Sequence, residues 1–166
     1  KVGEDVANYV MIKAQNNGTK LHKHVEDYLN NKEPVFDNLL AKAHFENIRQ
    51  KVDYIDNIRG IEVQMFSKEL GLAGTVDCVA NYAGVTSIID FKTSSKAKPE
   101  EWINNYFQQA TAYSLMWEEN TGEKIDQIVI LMSGEDMSIK SYIKDRNEYI
   151  CPLKETIDIF NKQNNS

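Results

Sequence analysis

The chain has 166 residues, 42% hydrophobic and 27% charged, with 19 Lys+Arg against 25 Asp+Glu for a formal net charge of −6. That length and balance describe one folded domain around a single core and exclude a chain disordered over most of its length. The acidic excess argues against coating nucleic acid by charge alone, and the longest unbroken apolar run, residues 128–132, is far short of the roughly 20 residues that span a bilayer.

No basic start followed by an apolar stretch marks a secretory signal, so the protein is expected to be cytoplasmic. Two cysteines, Cys78 and Cys151, cannot fill the four ligand positions of an iron–sulfur cluster or an all-cysteine zinc site, and they read as reduced thiols. No repeat or linker divides the sequence, which reads as a single domain over 1–166. It begins at Lys1, without a methionine and already inside a helical pattern, so a further segment is expected in front of it.

In chain order, Leu21, Val25, Tyr28 and Leu29 form the stripe of an amphipathic helix, closed by the Asn30-Asn31-Lys32-Glu33-Pro34 run. A second helix is predicted over about 37–54, with Leu39, Leu40, Ala43, Phe45 and Ile48 as its apolar residues. After Gly60 the texture changes to Val, Ile, Thr and Phe punctuated by glycine, which predicts strands over 61–70, 74–82 and 85–91. Pro99, followed by Glu100 and Glu101, suits the start of a helix that runs to about Asn120 and stops at Thr121-Gly122. Two more strands are expected over 125–132 and 137–143, joined around residues 133–136. A last helix carries Leu153, Ile157 and Phe160 before a polar tail, 161–166. The order predicts an α/β (mixed α+β) domain in which helices flank a mixed central sheet of about five strands.

The chemistry concentrates on two of these strands. Side chains alternate along a strand, so Asp90 and Lys92 share one face while Ile89 and Phe91 occupy the other. If Ala83-Gly84 is a two-residue turn, Tyr82 lies opposite Val85, and the same register sets Asp77 opposite Asp90, with Cβ atoms roughly 4.5–5.5 Å apart. Alanine is a poor occupant of a positive-φ turn position, and a slip of one residue would move Asp77 to the other face. Two opposed carboxylates must either share a proton or hold a cation. A magnesium ion held by such a pair and by phosphate oxygens would have Lys92 beside it, placed to orient water or to neutralise phosphate charge. Against this stands a plain surface ion pair of Asp90 with Lys92, unrelated to Asp77. A metal-independent carboxylate hydrolase and a nucleic-acid-binding module with a degenerate site are the alternative functions.

Asp77 followed by Asp90-Phe91-Lys92 resembles the PD-(D/E)XK nuclease superfamily, and the run from Gly74 to Tyr113 resembles its RecB-like branch of phage and mitochondrial genome maintenance exonucleases. The matching segments are residues 71–80, 89–94 and 109–113, with Gly18-Thr19-Lys20-Leu21-His22 similar to the branch's Gly-Thr-x-x-His element. Val76 stands where the superfamily's name has proline. The resemblance implies a restriction-endonuclease-like core and a Mg²⁺- or Mn²⁺-dependent exonuclease that hydrolyses phosphodiester bonds at single- or double-stranded DNA ends. It further implies a role in phage or bacterial DNA replication, recombination or repair, and hence the host cytoplasm if phage-encoded.

Carried over residue by residue, the resemblance makes Asp77 and Asp90 metal ligands, with the Phe91 carbonyl and His22 completing the set and Glu62 close by. Lys92 becomes the catalytic lysine, and Gln109 and Tyr113 a Gln-x-x-x-Tyr element beside the site. Periodicity itself does not choose between His22 and His24, which border the first helix's stripe on opposite sides, and nothing recommends His44. Gln109 shares a helical face with Trp102, Tyr106, Tyr113 and Trp117, of which Trp102, Tyr106 and Trp117 read as core. Lys96 and Lys98 after the catalytic strand, and Lys13, Lys20 and Lys23 near the first helix, are candidate phosphate contacts, although most such lysines are merely solvated.

Overall fold

Apolar side chains that recur every three or four residues build two helices at the front of the chain. In the computed structural model, which describes residues 10–12, 19–94 and 103–164, α1 spans Thr19–Leu29 and α2 spans Leu39–Val52. The first buries Leu21 and Val25, the second Phe45, Ile48 and Val52. Asn38 caps α2, its side-chain oxygen accepting the Ala41 N–H at 2.8 Å, a bond that satisfies one of the orphan donors of a helix start. The helix therefore begins two residues later than expected. Leu39 and Leu40 fall in its first turn, 85% and 61% exposed, outside the apolar face assigned to them. Val10–Ile12, read as part of a helical pattern, is instead a short strand, β1, parallel to residues 72–74.

β2 (Ile55–Ser67) starts six residues before its expected position because it continues through a bulge between Asp56 and Gly60, where Asn57 takes a φ of +47°. β3 (Leu72–Tyr82) and β4 (Val85–Ser94) form the central hairpin. Ala83 and Gly84 both have positive φ, +49° and +86°, which is what a two-residue type I′ connection requires. The expected register is therefore realised from Tyr82↔Val85 to Cys78↔Ile89. Ala83 makes that turn against its own preference, because a Cβ in the left-handed region costs roughly 1 kcal/mol or more. Ala83→Asn is thus expected to raise the melting temperature by about 2–4 °C, as read by thermal denaturation.

α3 (Asn104–Thr121) ends where Gly122, at φ +82°, turns its N–H to the Glu118 carbonyl at 2.8 Å. The expected opening of this helix at Pro99, Glu100 and Glu101 lies outside the described residues. β5 (Gln127–Gly134) runs parallel to β4, and β6 (Ile139–Asp145) runs antiparallel to β5. α4 (Ile150–Asn164) continues through residues 161–164, so most of the stretch read as a polar tail is helical.

The described residues form a mixed sheet of six strands, in which β2 follows β3 along one edge while β1 and β4 share the other. α1 and α2 cover one face, packing on Cys78, Ala80, Ile89, Phe91, Val129 and Leu131. α3 and α4 cover the opposite face over Val79, Ile88, Ile128, Ile130 and Met132. Alternation along β4 places Asp90 and Lys92 on the α3 side. No helix among the described residues is long and apolar enough to cross a membrane.

Candidate active site

β3 and β4 part just beyond the Cys78↔Ile89 pair, and β1 takes the place beside the first residues of β3. One further step of the same register sets Asp77 opposite Asp90 at the crotch of this fork. Where a backbone partner would come next, the side chain of Asp77 substitutes, its Oδ2 accepting the Phe91 N–H at 2.8 Å. The N–H and C=O of one strand residue face the same edge, so the Phe91 carbonyl also opens into the fork. There it accepts from His22 Nε2 at 2.5 Å. That nitrogen lies 3.3 Å from Asp77 Oδ2. His22 comes from α1 and so reaches the fork from the face opposite α3.

Lys92 completes the group from the α3 side. Its Nζ is 2.9 Å from Asp90 Oδ2 and 2.6 Å from Gln109 Oε1, and it sits 4.7 Å from the centre of the Tyr106 ring. Asp77, Asp90 and Lys92 are 6%, 1% and 5% exposed. The Asp90–Lys92 pair is thus not a surface bridge.

Burial alone would raise the Asp77 carboxyl, but hydrogen bonds from Asp90, His22 and the Phe91 N–H outweigh it and hold the group at about 2. Asp90 moves the other way, well above the ordinary carboxylate range. Burial is the largest cause and the Asp77 charge the next, with Lys92 opposing both. The pair is therefore unequal: its surroundings favour the charged form of Asp77 and disfavour that of Asp90.

Glu62 extends the acidic row to a third strand. It lies on β2 between the pairs Ile61↔Cys78 and Val63↔Val76, hence opposite Asp77, in a left-handed backbone conformation of φ +53°. Its carboxyl is raised by burial, then by Asp77 and Glu26, with His22 opposing. Glu26 was not anticipated. It stands one helical turn after His22 on α1, a spacing that puts both on one face and was the available signal. Gln109 and Tyr113, four residues apart on α3, hydrogen-bond to each other. The buried Tyr113 phenol is raised far above its ordinary value by burial and then by the charges of Asp90, Asp77 and Glu62.

The donor set fits a hard divalent cation. His22 Nε2 stands 2.5 Å from the Phe91 carbonyl and 3.3 Å from Asp77 Oδ2, on either side of the ~3 Å separation of neighbouring ligands around an octahedral ion with bonds of about 2.1 Å. Asp90 Oδ2, sealed from solvent, has no hydrogen-bond partner; the Lys92 ammonium, 2.9 Å away, pairs with it by charge alone. Among the described residues no group of three His, Cys, Asp or Glu side chains stands close enough together to hold a metal ion by side chains alone. The converging set mixes side chains with a main-chain carbonyl.

The other sequence candidates separate cleanly. His24 is a packing residue, its Nε2 donating to the Val35 carbonyl at 3.1 Å and its ring edge-on to Phe36. Lys20, two residues before His22, is exposed and paired with Asp37 at 3.1 Å, and Lys23 pairs with Asp27 at 3.0 Å. Trp117 donates to Glu123. Lys13, Lys96, Lys98 and Trp102 lie outside the described residues. Cys78 and Cys151 are free thiols; burial, then the Asp77 charge, pushes Cys78 up to about 12.

A family model described as the PD-(D/E)XK nuclease superfamily matches residues 6–147. The chain is 32% identical over 85 residues to mitochondrial genome maintenance exonuclease 1 of Homo sapiens, covering 49% of this chain and 25% of that protein. Against the Mus musculus protein of the same name, the identity is 32% over 88 residues with the same coverage. The chain therefore spans about a quarter of the length of these relatives. The crystal structure of a candidate exonuclease from Eubacterium rectale superposes with a TM-score of 0.56 at 15% identity, covering 88% of this chain and 66% of that one, a likeness of fold.

Proposed function

We propose, from the premise that the chain belongs to the PD-(D/E)XK nuclease superfamily, that it is a Mg²⁺- or Mn²⁺-dependent exonuclease hydrolysing phosphodiester bonds at the ends of DNA. The observation that carries the reading is the burial, at one fork of the sheet, of Asp77, Asp90 and Lys92, with Asp90 interacting with both of the others. Asp77, Asp90, the Phe91 carbonyl and His22 would hold the cation, with Glu62 adjacent. When bound, a divalent ion supplies Lewis-acid activation of water and neutralises charge on the phosphate.

This chain's residues do the rest. His22 donates its Nε2 proton to Phe91 while no ion is present, so it must release that proton to become a ligand. Asp90, whose burial disfavours its charged form, would have to be ionised to serve as a ligand. Lys92, held by Gln109, presents its ammonium to the attacking water or to the phosphate. Gln109 and Tyr113 line the approach from α3, and Lys20, Lys96 and Lys98 are proposed to contact the phosphate backbone. We assign residues 1–166 to a single nuclease domain acting in phage or bacterial DNA replication, recombination or repair. The lysine-rich, arginine-poor composition of an AT-rich genome supports that setting.

The test is digestion of end-labelled linear DNA and of circular DNA with Mg²⁺, Mn²⁺ or EDTA. Linear DNA is expected to lose its label with either ion, circular DNA to survive, and EDTA to stop the reaction. Cleavage that persists in EDTA supports a metal-independent carboxylate hydrolase instead. DNA binding without cleavage in any buffer supports a non-catalytic module.

A further inference from the structure

We infer that Tyr106 is a positioning residue that holds the Lys92 ammonium in place once a cation has taken Asp90. The inference rests on the nuclease reading and adds to it a residue whose ring the sequence assigns to the core.

An ammonium carries three N–H donors and no acceptor, and an almost fully buried one must place all three. Lys92 hydrogen-bonds Gln109 Oε1 at 2.6 Å, pairs by charge with Asp90 Oδ2 at 2.9 Å and sits over the face of Tyr106, whose centroid is 4.7 Å away. Tyr106 and Gln109 stand three residues apart on α3, a spacing that stacks side chains on one face of a helix. One rigid element therefore supplies two of the three legs of this tripod, and the strand itself supplies the third.

The third leg fails when it is needed. A divalent ion on Asp90 would take the carboxyl oxygen that Lys92 now faces and set a second positive group beside the ammonium. Among the described residues, Gln109 and the Tyr106 ring then oppose displacement of the ammonium. The negative face of an aromatic ring attracts a cation most strongly where water is excluded, which is the condition at this depth. A flexible four-carbon stem that lost this restraint would swing away from the reacting phosphate.

The test compares the wild-type protein with Tyr106→Phe and Tyr106→Leu in Mg²⁺-dependent digestion of end-labelled linear DNA, with kcat and KM separated. The ring without its hydroxyl is expected to serve, so Tyr106→Phe keeps kcat within about twofold, whereas Tyr106→Leu lowers it about tenfold with KM unchanged. A metal-free readout accompanies the kinetics. With carbon-13-labelled lysine, the Lys92 Cε protons are expected to show an upfield ring-current shift in the wild type and in Tyr106→Phe that Tyr106→Leu removes. Thermal melts of the three proteins identify any variant that fails to fold.

An unchanged kcat in a folded Tyr106→Leu protein overturns the role, and so does the absence of the ring-current shift in the wild type. A raised KM with unchanged kcat also overturns it and makes the ring a contact for the nucleic acid. A wild type that degrades no DNA with either ion removes the nuclease reading and this role together. Because the ring-current shift is measured without metal or DNA, that failure is distinguishable from a misplaced ring.

Discussion

Asp90→Asn is expected to lower DNA cleavage about a thousandfold or more while leaving the metal-free protein at least as stable as the parent. The amide keeps the shape of the side chain but not the charge that attracts a divalent ion. The ion's contribution to the transition state is worth several kcal/mol, at about 1.36 kcal/mol per tenfold in rate. Removing one partner of a buried ion pair ordinarily destabilises by about 3–5 kcal/mol, yet here burial and the Asp77 charge already push that partner toward its protonated form. The neutral amide replaces a carboxyl whose charged form the site already disfavours.

Linkage then gives the pH dependence. Burial and the neighbouring Asp77 charge raise the Asp90 carboxyl well above the ordinary value of 3.8, so the folded protein retains a proton that the unfolded chain releases. Stability from this group is complete below 3.8 and is lost as pH rises toward its folded value. Asparagine has no proton to lose, so the variant's advantage in EDTA should grow from pH 4 to pH 8. Asp77 works in the opposite sense. Its carboxyl is held at about 2, so its contribution is present above 3.8 and disappears as pH falls toward 2 in both proteins. Manganese reverses the ranking: at a concentration about 100 times its dissociation constant it stabilises the parent by about 2.7 kcal/mol, and Asp90→Asn should gain almost nothing. Melts in EDTA and in Mn²⁺ across this pH range check all three statements, and parallel curves for the two proteins would refute them.

Much of this site was legible because a β-strand has a period of two and a hairpin has a fixed register. Those two rules carried Asp77 to Asp90 and put Lys92 on the same face, with Ile89 and Phe91 turned to α1 and α2. The doubtful step was Ala83, a residue that resists the left-handed conformation it nevertheless adopts at φ +49°. Tertiary pairing of eleven-residue β3 with β4 outweighs a local preference of about 1–2 kcal/mol. The fork itself was not legible. Whether two strands stay paired or part depends on β1, three residues at Val10–Ile12 that carry no alternating pattern long enough to read.

His22 and His24 show the same limit. Both border one helical stripe, and only the position of α1 over the fork sends His22 to Phe91 and leaves His24 among Phe36, Phe45 and the Val35 carbonyl. Tyr106 was assigned to the core because an aromatic stripe on a helix usually is core. Its ring lies over a charge that belongs to another element, and spacing within α3 carries no information about β4. Glu62 was placed near the metal by resemblance, while its direct opposition to Asp77 follows from the β2–β3 register that a bulge at Asp56 and Gly60 hid from the sequence.

Lys92→Met is expected to lower the cleavage rate by about a hundred- to ten-thousandfold while the protein still binds the cation. Methionine approximates the length of the stem and removes only the ammonium, so Asp90 loses a competitor for the incoming ion. Manganese should stabilise this variant at least as much as the parent, in contrast to Asp90→Asn. Lys92→Arg should not restore the rate, because a planar fork of donors does not reproduce three diverging N–H groups in a site with 5% exposure. Gln109 then separates two mechanisms. If it serves only by holding Lys92 at 2.6 Å, Gln109→Leu lowers the rate in the parent but changes nothing in the Lys92→Met background, a non-additivity characteristic of residues that act as one unit. If Gln109→Leu lowers the residual rate of Lys92→Met as much as it lowers the parent's, the amide reaches the substrate itself. Gln109 would then be a catalytic residue in its own right, with the lysine and the helix acting on the phosphate independently.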